Sequence, residues 1–179
     1  MVRVVDYDPD WPRRASAAAD ALRAAAPGLF VDLEHIGSTA VPGLAGKPVI
    51  DLMAAVRDLA DAHPHEPALT RLGFRPHDNG MTDRLLYVRI AADGIRSHIL
   101  HVVTQDSWPI RNQRILRDYL RAHPEEAARY AELKRALMAA GTSARDYSCA
   151  KTALVQELTD RARVERGLLP EPVWEKGPK

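Results

Sequence analysis

One cysteine, two phenylalanines and a net charge of only +1 are what 179 residues leave scarce. The single thiol, Cys149, excludes an internal disulfide and a cysteine-rich zinc site. A charge balance this even argues against a nucleic-acid polymer held by bulk electrostatics, although local basic patches still suit small anions. No apolar run is long enough for a membrane span, and the N-terminus shows no signal-peptide pattern, so the expected location is cytoplasmic, with no membrane partner. What is present is ordinary for a globular chain: 46% apolar and 27% charged residues. The length suits one domain, expected over residues 1–169, followed by a loose tail over 170–179. There is no internal repeat, and the alanine-rich first helix is the nearest thing to low complexity.

Asp10 is positioned to cap a helix that tolerates Pro12 in its first turn and stops at Pro27-Gly28. Val31 to Ile36 and Val49 to Val56 are short, rich in β-branched residues, and read as strands. A break at His63-Pro64-His65 precedes a short helix from about Ala68 to Leu72. A strand starts at Phe74. Leu85 to Ile90 and Ile95 to Val103 flank Asp93-Gly94, which predicts a hairpin. From Trp108 the pattern turns helical, with one helix to about Ala122, a second from Pro124 to Gly141, and a third opening at Ser143 and ending near Gly167.

The most informative stretch runs from Glu34 to Asp51. A Gly37-Ser38 pair leaving one strand offers backbone N–H groups and a hydroxyl to phosphate oxygens, because glycine lets the main chain approach an anion closely. Asp51 lies on the next strand, with twelve residues between it and Ser38, a separation that lets the loop fold back and bring both to one site. Lys47 stands at the mouth of that strand, either neutralising phosphate charge or simply solvated. Glu34 is either a further acidic contributor or the partner of an arginine.

Those residues, with Tyr7-Asp8-Pro9-Asp10-Trp11-Pro12 and Arg117-Asp118-Tyr119-Leu120-Arg121-Ala122-His123-Pro124, resemble the GrpB family of the nucleotidyltransferase-like superfamily from about Val4 to Ala162. The resemblance implies an α+β fold: a mixed sheet of about five strands, helices mainly on one face, and a C-terminal helical segment. It also implies a nucleoside triphosphate ligand with Mg²⁺ bound at Asp51. The superfamily places a second carboxylate two residues further along the strand, on the same face, to complete a two-ion centre. This chain has Met53 there, which cannot usefully ligate Mg²⁺.

Two histidines lie on the hairpin. His98 and His101, three apart, point to opposite faces of a regular strand. The resemblance leads one to expect His-x-His, and Ile99 takes the first of those positions. His101 is the better candidate, as metal ligand, as general base, or as a hydrogen-bonded core residue. On the helix after Trp108, Arg114 and Arg117 are candidates to fork onto phosphate, whereas Arg111 and Arg121 read as a solvated face. Tyr147 and Lys151, four apart, could line the cleft. Cys149 has no histidine nearby in sequence to make it a nucleophile.

Three functions stay open on these residues. One is a transferase moving a nucleotidyl group to a small polar acceptor, with Asp51 and His101 catalytic. The second is a noncatalytic module for a nucleotide or phosphate ligand. The third is a pocket repurposed for transfer or condensation on a small carboxylate or amine.

Overall fold

The computed structural model describes residues 3–78 and 80–173. Helix α1 (Trp11–Ala25) is followed by strands β1 (Asp32–Ile36) and β2 (Ile50–Val56), then helix α2 (Glu66–Arg71). Strands β3 (Phe74–Pro76), β4 (Leu85–Ile90) and β5 (Arg96–Thr104) come next. Four helices close the chain: α3 (Asn112–Ala122), α4 (Pro124–Ala139), α5 (Ala144–Ala150) and α6 (Thr152–Glu165).

The strands form one mixed sheet in the order β1-β2-β5-β4-β3. β2 and β5 run parallel at its centre, and the other pairings are antiparallel. This is the expected α+β architecture. The β4–β5 hairpin closes where the sequence predicts, with Gly94 at φ +79° donating its N–H to Ala91 O.

Strand alternation sorts the sheet into two faces. Leu33, Ile50, Leu52, Ala54, Leu100 and Val102 point to one, where α1 lays Trp11, Ala15 and Leu22 against them in the main core. The other face carries Glu34, Ile36, Asp51, Met53, Ile99 and His101 by register. There Ile36, Met53, Ala55, Val103 and Trp108 form a small buried cluster. The C-terminal helices make a separate core with the loop after β1, through Val41, Leu44, Ile115, Tyr130 and Leu158.

Local details depart from expectation in instructive ways. Asp10 makes no side-chain cap; its carboxylate pairs with Arg13, and Asp8 accepts the Asp10 N–H instead. The segment after Trp108 starts as a 3₁₀ turn (105–110), and the α-helix begins only at Asn112. The last helical stretch is two helices that break at Lys151, while Ser143 caps the first by accepting the Asp146 N–H, as its position in the sequence predicts. Beyond α6, Gln156 binds Glu171 O and the Val173 N–H, tying the start of the tail down; residues 174–179 lie outside the described residues. Among the described residues, no helix is long and apolar enough to cross a membrane.

Candidate functional site

A turn with no room to spare lies between β1 and β2. Gly37 adopts φ +74°, a conformation that favours glycine, and a Cβ there would stand 2.6 Å from Asp51 Oδ2. The Gly-Ser turn and the Asp51 carboxylate therefore touch. Ser38 opens a 3₁₀ turn over residues 38–40, and the loop returns to β2 through an isolated bridge between Val5 and Gly46.

Both Ser38 and Asp51 line a cavity of about 680 Å³, a size that suits a nucleotide-like ligand. Pro48, Val49, Ile95 and Ile99 give it an apolar wall. Its charges are lopsided: among the described residues Arg3, Arg14, Lys47, Arg96, Lys134 and Lys151 face only Asp51 and Asp93. Among the described residues, Lys47, Lys134 and Lys151 form no ion pair with a carboxylate.

The lysines come from three places. Lys47 ends the loop before β2, Lys151 sits at the break between α5 and α6, and Lys134 projects from α4. Tyr147 accompanies the first two, with the Lys47 and Lys151 Nζ atoms 4.8 and 5.1 Å from its ring centroid. Lys134 is 1% exposed; its Nζ donates to Ser38 Oγ at 2.6 Å and to Ala45 O at 2.9 Å, above the Tyr130 ring.

Burial and mutual repulsion bias these groups toward their neutral forms. Burial pushes the Asp51 carboxyl up to about 7 even though Lys151, Arg96, Lys47 and Lys134 all pull it down. Burial, and then Lys47, bring Lys151 down to about 8. Lys47 is lowered by burial and Arg96, and Lys134 falls well below the usual lysine range through burial and Lys151. The site is a set of cations with too little negative charge to balance them.

The sequence-based candidates separate into two groups. Gly37, Ser38, Lys47, Asp51, Tyr147 and Lys151 come together at the cavity. Arg114 and Arg117 do not. Arg114 holds Glu34 through two bonds, Nε to Oε2 at 3.0 Å and Nη2 to Oε1 at 2.9 Å, and lies 4.1 Å over the Trp108 ring. Arg117 Nη1 adds bonds to Glu34 Oε2 at 2.6 Å and to His35 O at 2.9 Å. Glu34 is thus the arginine partner that one of its two readings foresaw. Arg111 is no solvated side chain either: it is buried, paired with Asp83 and bonded to Ser107.

His98 and His101 face opposite sides, as strand alternation requires. His98 packs edge-on to Phe74 in the main core. His101 lies beside Met53 in the β2–β5 register, whereas Asp51 is beside Ile99. It is therefore one pleat repeat, roughly 7 Å, further along the sheet, and it does not line the cavity. Its Nδ1 is buried with no hydrogen-bond partner, and burial beside Arg84 and Arg111 holds the ring down at about 4, a neutral imidazole.

The residues present do not fit a two-ion centre. Met53 shares the Asp51 face but is 0% exposed, sealed under Ile36, Val103 and Trp108. Among the described residues no group of three or more His, Cys, Asp or Glu side chains could hold a metal ion. At the Gly-Ser turn Asp51 lies against Gly37, and Lys151, Lys47 and Lys134 share its electrostatic surroundings.

Sequence reasoning missed Lys134, Arg96, Arg3 and Arg14. For Lys134 a signal existed: it continues the stripe Ala127, Tyr130, Ala131 that α4 buries, a position where an apolar residue is the norm.

The family model described as "GrpB protein" matches residues 1–161. A UPF0157 protein of Streptomyces coelicolor is 34% identical over 166 residues, covering 90% of this chain and 84% of the relative. The crystal structure of the conserved protein GrpB from Enterococcus faecalis aligns with a TM-score of 0.83 at 27% identity, over 92% of this chain and 99% of that one. The GLD-2/RNP-8 complex aligns with a TM-score of 0.53 at 16% identity, over 86% of this chain and 61% of that one, a likeness of fold alone.

Proposed function

Because the chain belongs to the GrpB family and is built on a nucleotidyltransferase-like fold, we propose that it binds the polyphosphate of a nucleoside triphosphate through lysines rather than through a resident pair of ions. The observation that carries this reading is the convergence of Lys47 and Lys151 on one cavity beside Tyr147, with no carboxylate paired to either among the described residues. Unpaired ammonium groups in a recessed site gain charge-assisted hydrogen bonds when an anion arrives, and these are about twice as strong as neutral ones. The Ser38 hydroxyl adds a further polar contact at the turn. The apolar wall of Val49, Ile95 and Ile99 takes the uncharged end of the ligand. Asp51, held near 7, supplies a proton acceptor at neutral pH for an acceptor substrate. A cytoplasmic location, where nucleotides are abundant and Cys149 stays reduced, belongs to the same reading.

Calorimetry with ATP and with inorganic tripolyphosphate, each with and without Mg²⁺, tests it. Both should bind without the metal. Lys151→Met should weaken them by roughly 10- to 100-fold, the loss of one charge-assisted contact, and Asp51→Asn should leave binding intact or tighter. Binding that requires Mg²⁺ and vanishes in Asp51→Asn would overturn the lysine reading in favour of a metal site.

A further inference from the structure

Lys134 and Ser38 form a contact that anion binding alone does not explain. The amine is buried, and its hydrogen-bond partners are two uncharged oxygens, Ser38 Oγ and Ala45 O. An ammonium with no carboxylate is costly to bury. The Tyr130 ring at 4.0 Å and the nearby Asp51 favour the charged form, while burial and Lys151 oppose it more strongly, and the balance lies well below the usual lysine range. The 2.6 Å contact, in which the charged amine donates to Ser38 Oγ, reverses in the neutral form: one N–H still donates to Ala45 O, and the nitrogen lone pair takes the Ser38 hydroxyl proton, which has no other acceptor among the described residues. Ser38 is also clamped in place. A Cβ on Gly46 would stand 2.9 Å from Ser38 Cβ, so the returning loop lies flush against it. The serine nevertheless lines the cavity.

We propose that Ser38 is a nucleophile and Lys134 its base, in acyl transfer from an ester or thioester whose acyl portion carries negative charge. Ser38 gives its hydroxyl proton to Lys134 Nζ as Oγ forms a bond to the carbonyl carbon. The bond from that carbon to the leaving group then breaks, and the departing alkoxide or thiolate takes the proton from the Lys134 ammonium. Water or an amine then attacks the carbonyl carbon of the acyl-Ser38 ester, giving up a proton to Lys134; the bond from that carbon to Ser38 Oγ breaks, and Oγ takes the proton back from the Lys134 ammonium. A serine activated by a lysine amine is a known variant of the triad logic, and rigid placement of the pair is what such chemistry needs. The negative charge assigned to the acyl group rests on the polyanion reading of the cavity; the nucleophile itself does not.

The test uses the full chain and an uncharged fluorophosphonate, which a nucleophilic serine attacks with loss of fluoride. Mass spectrometry should find one adduct, on Ser38, absent from Ser38→Ala and forming at least tenfold more slowly in Lys134→Met. No adduct on Ser38 overturns the proposal, as does an unchanged rate in folded Lys134→Met. Should that variant not fold, the pH series of the unaltered chain decides instead. The labelling rate must level off below 10.5, the ordinary lysine value, and a rate still climbing there overturns the assignment of Lys134, whose ionisable or charged neighbours are Tyr130, Lys151 and Asp51. Because the probe is neutral, labelling at Ser38 and tripolyphosphate binding can fail independently, so the two readings are separable.

Discussion

The Asp51 carboxylate occupies the space that a side chain at Gly37 would need: a Cβ there would come within 2.6 Å of Oδ2. The turn and the carboxylate are thus fitted to each other by the missing Cβ and by a φ of +74°. Gly37→Ala meets both obstacles at once. It should cost about 1–3 kcal/mol from backbone strain alone, with more from displacing Asp51, read as a lower midpoint in urea unfolding. An unchanged midpoint would mean that the loop relocates freely.

Position 53 is closed rather than merely lacking a carboxylate. Met53→Asp puts a charge beneath Ile36, Val103 and Trp108, and an uncompensated buried charge costs about 3–5 kcal/mol. Denaturant titration should show that loss, and calorimetry should show no Mg²⁺-dependent gain in nucleotide affinity. A folded variant that acquires tight Mg²⁺ binding would reverse this conclusion.

Arg114 belongs to the join between α3 and β1. Arg114→Ala removes both of its bonds to Glu34 and should lower stability by about 1–2 kcal/mol, because Arg117 still holds the partly exposed carboxylate. Tripolyphosphate affinity, followed by calorimetry, should hold steady. A tenfold loss of affinity at unchanged stability would return Arg114 to the ligand site.

The pH dependence has two parts with one sign for binding. Asp51 titrates near 7 in the folded protein, against 3.8 for a free aspartate, and Lys151 near 8, against 10.5 for a free lysine. Raising the pH from about 6 to 9 first adds the Asp51 negative charge and then removes the Lys151 positive charge, so polyphosphate affinity should fall throughout. For stability, the folded chain holds the Asp51 proton more tightly than the unfolded chain does, which favours folding at low pH and is lost between about 4 and 7. The unfolding free energy of wild type minus that of Asp51→Asn should therefore decrease over that window. A difference that is flat with pH would leave Asp51 outside the buried charge cluster.

Strand positions and the hairpin were legible because β-branched runs end at Gly-Ser and Asp-Gly, where local turn chemistry leaves few alternatives. Half of the site was legible for the same reason: Gly37, Ser38, Lys47 and Asp51 lie within one short stretch. Lys134 was legible only as a lysine on the buried stripe of α4; its contact with Ser38 spans 96 residues, and no local pattern encodes that. Arg114 and Arg117 show the converse limit. An arginine stripe beside an acidic strand residue fits an anion ligand and an internal ion pair equally well until the packing of α3 on β1 is known. The break at Lys151 was hidden because Tyr147, Ala150, Leu154 and Leu158 keep an unbroken helical period across it.

The cations at the cavity are drawn from segments as far apart as Arg3 and Lys151, so they meet only once the chain has folded. Folding must bring like charges together and hold them in a recessed place that dissolved ions screen only partly. This stored repulsion makes the protein sensitive to its buffer. Phosphate or sulfate, by settling among the lysines, should raise its melting temperature beyond the effect of the same ionic strength of chloride, in proportion to anion occupancy. A melting temperature taken in phosphate buffer therefore measures fold and anion together.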